Sequence, residues 1–137
     1  MGQRQRALES VEIVAQQGSV AYWGDKRVLV TGASGMVGSW LTRWLAESGA
    51  YTVAFIADSD PQSELMRSGT INKVNVVNGR LENYDDIERA INNHEVDSIF
   101  HLGAQPIVGA ADRSPRHTFE SNIQGTWNLL DACRTLS

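Results

Sequence analysis

The sequence predicts an α/β fold of the doubly wound kind, a parallel sheet covered by helices on both faces. Short apolar runs of strand length recur at Val28-Leu29-Val30, within Lys26 to Thr31, and at Tyr51 to Ala57, Lys73 to Val77 and Asp97 to Leu102. Segments with helical apolar spacing separate them, and a glycine-rich turn joins the first run to the first helix. Strands that alternate with helices form a parallel sheet through right-handed crossovers. The expected strand order is 3-2-1-4, and the fifth and sixth strands of a complete sheet would lie beyond strand four.

The elements follow in order. Ala7, Leu8, Val11, Val14 and Ala15 recur with helical spacing, so residues 1–22 are read as an amphipathic helix and linker, and residues 23–137 as the α/β domain. After the glycine turn, Val37, Trp40, Leu41, Trp44 and Leu45 fall on one helical face, and Gly49 closes that helix. Asp58-Ser59-Asp60-Pro61 ends the second strand. Asp85 to Asn93 is a helix through Ile87, Ala90 and Ile91, with Asp85, Asp86 and Glu88 favouring its start. Ser114-Pro115 is expected to open the last helix as cap and first position, with Phe119, Ile123, Trp127, Leu130 and Cys133 forming its buried stripe. Core packing is also expected for Trp40, Trp44 and Trp127.

Composition narrows the function classes. The 137 residues suit one domain, and 42% hydrophobic with 20% charged residues is ordinary for a globular chain. A net charge of -4, with scattered basic residues, gives no patch that would track a nucleic-acid backbone. No stretch is long and apolar enough to span a membrane, and Glu9 and Glu12 interrupt the only apolar part of the N-terminal segment, so a cytoplasmic location is expected. The single cysteine, Cys133, allows no disulfide within the chain and is expected to be a buried, inert thiol. His94, His101 and His117 show no metal-ligand spacing and are read as structural or surface groups.

The chemistry-bearing signal is Thr31-Gly32-Ala33-Ser34-Gly35-Met36-Val37-Gly38, lying between a buried strand and an amphipathic helix. Gly32 lets the chain turn sharply off the strand. Gly35 removes a side chain where a pyrophosphate must approach the backbone, and Gly38 lets the helix pack close to the sheet. The helix N-terminus supplies free N–H groups and a partial positive charge to phosphate. About twenty residues after Gly38, Asp58 ends the second strand, where a carboxylate accepts hydrogen bonds from an adenosine ribose and repels a 2′-phosphate. Asp60 competes for that role, and no basic residue adjoins it, so NAD is favoured over NADP.

With these residues in hand, the chain resembles the N-terminal, cofactor-binding part of an extended short-chain dehydrogenase/reductase of Rossmann type. It is similar to the NAD-dependent epimerase/dehydratase group that acts on nucleotide sugars. Thr31, Gly32, Gly35 and Gly38 match T-G-x-x-G-x-x-G; Ile99 to Gln105 matches the family's fourth strand and turn, and Ser121 to Leu130 its next helix. Gly-Ser-Trp-Leu at 38–41 and Leu-Gly-Ala-Gln at 102–105 resemble sugar-nucleotide 4,6-dehydratases. The resemblance implies a cofactor site drawn from Thr31, Gly32, Ser34, Gly35, Met36, Val37, Gly38, Asp58, Leu81, Leu102, Gly103, Ala104, Gln105 and Asn122. Gly103 and Ala104 would lie near the nicotinamide, and Asn122 near the cofactor-side loops. Arg80 stands where the family usually has an Asp that contacts adenine, so that role is not carried over to it.

The family's catalytic Ser or Thr, with Tyr and Lys spaced Y-x-x-x-K, sits on and after the fifth strand. The chain is expected to stop before that region and to lack the Y-x-x-x-K pair, so no catalytic residue is assigned. Two readings follow. One is the cofactor half of a nucleotide-sugar enzyme, inactive alone; the other is a stand-alone NAD-binding or interaction module. Either would leave strand four with an open edge, so self-association through that edge or the last helix is expected.

Overall fold

The structure, a computed structural model, describes residues 22–57, 61–103, 116 and 120–135. The expected N-terminal helix, Asp58, Ala104, Gln105, the Ser114-Pro115 helix start and Phe119 lie outside these residues. The elements are β1 (Arg27–Thr31), α1 (Met36–Glu47), β2 (Tyr51–Ile56), α2 (Glu64–Arg67), a 3-10 turn at Thr70–Asn72, β3 (Asn75–Asn78), α3 (Tyr84–Asn93), β4 (Ser98–His101), a π-helical turn at Glu120–Gln124, and α4 (Gly125–Thr135).

The strand order is β3-β2-β1-β4, and all three pairings are parallel. Leu29 lies opposite Val53 on one side and Ile99 on the other, which sets the register. Because side chains alternate along a strand, each buried strand feeds two cores. Leu29, Val53 and Phe55 pack with Ile87, Ala90 and Ile91 of α3 and with Leu129 and Ala132 of α4. Val28, Val30, Ala54 and Ile56 point the other way, onto Leu45 of α1 and Leu65 of α2. Each fully buried Leu, Ile or Val contributes roughly 1.5–3 kcal/mol of transfer free energy.

Local chemistry explains the boundaries. Gly49 ends α1 at φ +85, and its neighbour Ala50 returns an N–H to the Leu45 carbonyl at 3.1 Å, the closure expected of a C-terminal glycine. The Asn83 side chain caps α3 by accepting the Asp85 N–H at 3.1 Å. The sequence reading placed no element between 61 and 72, yet Ser63 caps the short helix α2 and Leu65 drives into the core. Arg43 ties α1 to α2 through Glu64 at 3.2 Å.

The expected helix faces need correction. In α1 the buried residues are Gly38, Ser39, Thr42 and Leu45, whereas Val37, Trp40 and Trp44 are exposed. In α4 they are Gly125, Leu129 and Ala132, whereas Trp127, Leu130 and Cys133, like Ile123 in the turn before it, are exposed. The reason is close approach. A Cβ on Gly125 would sit 2.7 Å from Leu81 Cβ, so only glycine fits where α4 starts against the loop after β3, and that sets the helix phase. Trp44 still finds an apolar neighbour, meeting Trp23 edge-on at 6.2 Å, and Trp23 in turn meets Phe100 at 5.7 Å.

This phase of α4 is testable. Leu129→Ala is expected to cost about 2–5 kcal/mol of unfolding free energy, and Leu130→Ala less than about 0.5 kcal/mol, both read from urea midpoints. Equal losses would show that the helix is turned the other way.

Candidate functional site

The glycine turn leaves β1 at the carboxyl end of the sheet. Gly32 adopts φ +69, a region that costs a Cβ-bearing residue dearly. A Cβ there would lie 2.7 Å from the Leu102 carbonyl carbon and 2.8 Å from the Gly103 nitrogen. The Gly35 N–H closes the turn on the Gly32 carbonyl at 3.0 Å, and the first helical bond of α1 runs from the Ser39 N–H to the Gly35 carbonyl at 2.9 Å. The N–H groups of Met36, Val37 and Gly38 therefore precede the helical ladder and have no acceptor within it.

Among the described residues no side chain caps this helix end, and its first turn holds no acidic residue. The partial positive charge of the helix start is thus left uncompensated by these residues. Gly35 is exposed, with Met36 and Val37 at 83% and 64% exposure, and among the described residues no side chain is recorded over the cradle. Gly38 serves a different end from the one expected. A Cβ there would overlap the Gly32 carbonyl oxygen, so this glycine lets the turn fold onto the helix start itself. Ser39 reinforces the fold-back by donating its hydroxyl to the Ala33 carbonyl at 3.0 Å.

The turn after β4 forms the facing wall. Thr31 is fully buried, and its Oγ1 accepts the N–H groups of Leu102 and Gly103, each at 3.0 Å. Leu102 is exposed and Gly103 half-buried. A Cβ on Gly103 would come within 2.6 Å of Leu81 Cδ1, so its smallness has a packing reason inside the protein. Leu81 is wedged between Gly103 and Gly125, and its carbonyl accepts the Asn128 amide at 2.9 Å. Asn122 is half-buried, and its carbonyl accepts the Thr126 hydroxyl at 3.0 Å.

The structure thus gathers Thr31 to Gly38, Leu81, Leu102, Gly103 and the turn holding Asn122 around one end of the sheet. Ser34 is half-buried within the loop. Arg80 is exposed at the same end, and its backbone N–H is held by the Asp86 carboxylate at 3.0 Å. Asp58, Ala104 and Gln105 lie outside the described residues. Two participants escaped the sequence reading. His101 and Thr126 join β4 to the start of α4, with His101 Nε2 2.8 Å from Thr126 Oγ1. Partial burial pushes the His101 imidazole below the ordinary histidine value. The available signal was a polar residue closing an apolar strand.

The opposite end of the sheet holds a groove of about 480 Å³, lined by Lys26, Arg27, Tyr51, Lys73 and their neighbours. Ligands of doubly wound sheets bind outside the carboxyl ends of the strands, so this groove is not the expected site. Here the sequence expectation of no Y-x-x-x-K pair is corrected, because Tyr22 and Lys26 have that spacing. They lie before β1, with Lys26 Nζ 5.3 Å from the Tyr22 ring centre and Tyr22 60% exposed, far from the glycine turn.

With this geometry in place, comparison with known proteins is specific. Residues 28–137 match the NAD dependent epimerase/dehydratase family. CDP-glucose 4,6-dehydratase of Salmonella typhimurium is 31% identical over 114 residues, covering 82% of this chain and 32% of that protein. CDP-paratose 2-epimerase of Salmonella typhi is 30% identical over 110 residues, covering 79% and 32% respectively. Among solved structures, the UDP-glucose 4-epimerase of Thermus thermophilus in complex with NAD superposes with a TM-score of 0.70 at 29% identity, over 80% of this chain and 34% of that one. The chain therefore spans about a third of the length of these relatives. Strand order, glycine turn and sequence match agree: the chain belongs to the NAD-dependent epimerase/dehydratase family.

Proposed function

We propose that this chain is the NAD-binding part of a nucleotide-sugar epimerase or dehydratase, and that it is inactive by itself. One observation carries the reading. A helix start with no side-chain cap among the described residues, reached from a buried strand through a glycine-rich turn, leaves the N–H groups of Met36, Val37 and Gly38 outside the helical ladder. That arrangement suits a diphosphate, which accepts backbone hydrogen bonds and gains from the helix dipole.

In this reading Gly32 to Gly38 hold the pyrophosphate and Asp58 holds the adenosine ribose. Leu81 borders the adenine side, with Arg80 free to cover the ring. Leu102 to Gln105 and Asn122 flank the nicotinamide end. NAD supplies a hydride acceptor, and in the complete protein it would take a hydride from a sugar carbon bearing a hydroxyl. In this reading the residues of this chain bind and orient the cofactor.

Calorimetric titration of the chain with NAD, NADP and ADP-ribose tests this. NAD and ADP-ribose are expected to bind, and NADP at least about tenfold more weakly, the order of one charge-assisted hydrogen bond. Asp58→Ala is expected to erase that discrimination. Preference for NADP, or turnover of a nucleotide sugar by the chain with NAD, would refute the assignment. Structure and binding also separate at the glycines. Gly38→Ala is expected to destabilise the fold by about 1–3 kcal/mol, because a backbone oxygen occupies the space. Gly35→Ala is expected to keep the fold nearly intact while losing NAD affinity, since its Cβ would meet only the Gly32 carbonyl oxygen at 3.3 Å.

The outer face of α4 gives the proposal of self-association its basis. Trp127 and Leu130 of α4 are 69% and 65% exposed, and Ile123 of the π-helical turn just before it is 58% exposed. Among the described residues β4 pairs with β1 alone. Light scattering is expected to give the mass of at least two copies, returned to one copy by Trp127→Glu. A native chain at the mass of one copy would defeat this part of the proposal.

A further inference from the structure

We propose that His101 is a positioning residue, held as the neutral Nε2–H tautomer in a one-way chain of hydrogen bonds that fixes the turn carrying Asn122 relative to the glycine loop. The functional half of this proposal rests on the cofactor reading above; the direction of the bonds does not. Thr31 Oγ1 stands 2.7 Å from His101 Nδ1, and His101 Nε2 stands 2.8 Å from Thr126 Oγ1. Either ring nitrogen can donate or accept in principle, and the tautomer follows from the partners.

Both ends of the chain give the same answer. At one end, Thr31 Oγ1 already accepts the Gly103 N–H at 3.0 Å and shares the Leu102 N–H, which divides between Oγ1 at 3.0 Å and the Thr31 carbonyl at 3.2 Å. A hydroxyl oxygen has two acceptor positions, so its own proton must go to Nδ1. At the other end, Thr126 Oγ1 lies 3.0 Å from the Asn122 carbonyl, which can only accept. The Thr126 proton is committed there, so Nε2 must donate to Thr126. The order is therefore Thr31 hydroxyl to His101 Nδ1, His101 Nε2–H to Thr126, and Thr126 hydroxyl to the Asn122 carbonyl.

These bonds join the end of β1 and the turn after β4 to the start of α4. Their first member closes the end of β1 and grips the turn after β4, and their last fixes the π-helical turn Glu120–Gln124 ahead of α4. Protonating the imidazole would put a donor at Nδ1 against a hydroxyl that already receives two N–H groups. The walls of the cofactor crevice are thus set by a neutral ring that cannot reverse its polarity without breaking both contacts.

Two-bond proton–nitrogen correlation spectra of the full chain with labelled histidine test the tautomer, with the His101 signals assigned by their loss in His101→Asn. We expect unprotonated Nδ1 and protonated Nε2 at neutral pH. An Nδ1–H tautomer or an imidazolium overturns the proposal. Thr126→Val is expected to weaken NAD binding about tenfold, the order of one lost hydrogen bond, and to speed amide exchange at 122–126. Thr126→Ser is expected to restore both, and the Thr126→Val, His101→Asn pair to add little beyond either change alone. Native NAD affinity and native exchange in Thr126→Val overturn the positioning role. If the native chain binds no NAD, the cofactor reading fails and the functional half falls with it, while the spectra and exchange still decide the bond chain.

Discussion

The carboxyl end of this sheet depends on how closely three backbone segments approach one another around Gly32. Its carbonyl accepts the Gly35 N–H, lies where a Cβ of Gly38 would stand, and belongs to a residue pressed against Leu102 and Gly103. A single added carbon at Gly32 or Gly38 would push strand, loop and helix apart. What the sequence supplies at these positions is absence of side chain. Backbone in close contact then places the first N–H groups of α1 where a diphosphate can reach them. The same closeness dictates the rest of α1. Ser39 and Thr42 face inward and satisfy themselves on the Ala33 and Gly38 carbonyls, and the tryptophans are left outside.

Topology puts that contact at a useful place. The chain runs from β1 outward through β2 to β3 and then returns to the far side of β1 as β4, so the connections after β1 and β4 diverge to opposite faces. A crevice opens at such a reversal, and ligands of open α/β sheets bind there. Thr31 and His101 are register partners at the last paired position of β1 and β4. Beyond it the ladder ends, and the Thr31 hydroxyl takes over by binding the Leu102 and Gly103 N–H groups. The ends of β1 and β4 are thereby joined by the Thr31 hydroxyl together with the Thr31 carbonyl, which shares the Leu102 N–H at 3.2 Å. His101 and Thr126 carry the same constraint onward to the start of α4.

Much of this was legible in the sequence, for local reasons. Four strands, their order, the glycine loop and the terminator Gly49 follow from runs of apolar residues and from backbone geometry that only glycine tolerates readily. The phases of α1 and α4 were not legible, because apolar size was taken as the guide to burial. In both helices small residues share the inward face with one leucine, Leu45 or Leu129, and Gly38 and Gly125 sit where a Cβ would collide with the chain, while Trp40 and Trp127 lie outside. The short helix α2 was missed because four residues carry too little periodicity to register. The contacts of Thr31 with His101, Leu102 and Gly103 join residues 70 to 72 positions apart, beyond anything a local pattern can report.

A cradle built from main-chain groups also explains how such a site tolerates sequence change. Hydrogen bonds from N–H groups, and packing that depends on missing side chains, constrain a handful of glycines and leave most other positions free to vary within apolar limits. At 29% identity the NAD-bound epimerase of Thermus thermophilus keeps the same fold with a TM-score of 0.70. Side-chain recognition is different in kind. In the proposed reading a carboxylate such as Asp58 would act through its own charge, so discrimination between NAD and NADP would rest on a rim side chain, whereas diphosphate binding would rest on the backbone shape set by the glycines. On that reading the general part of the site would be carried by the fold and the selective part by a few residues at its rim. Substitution at the rim would then change which dinucleotide is preferred without disturbing the glycine turn between β1 and α1.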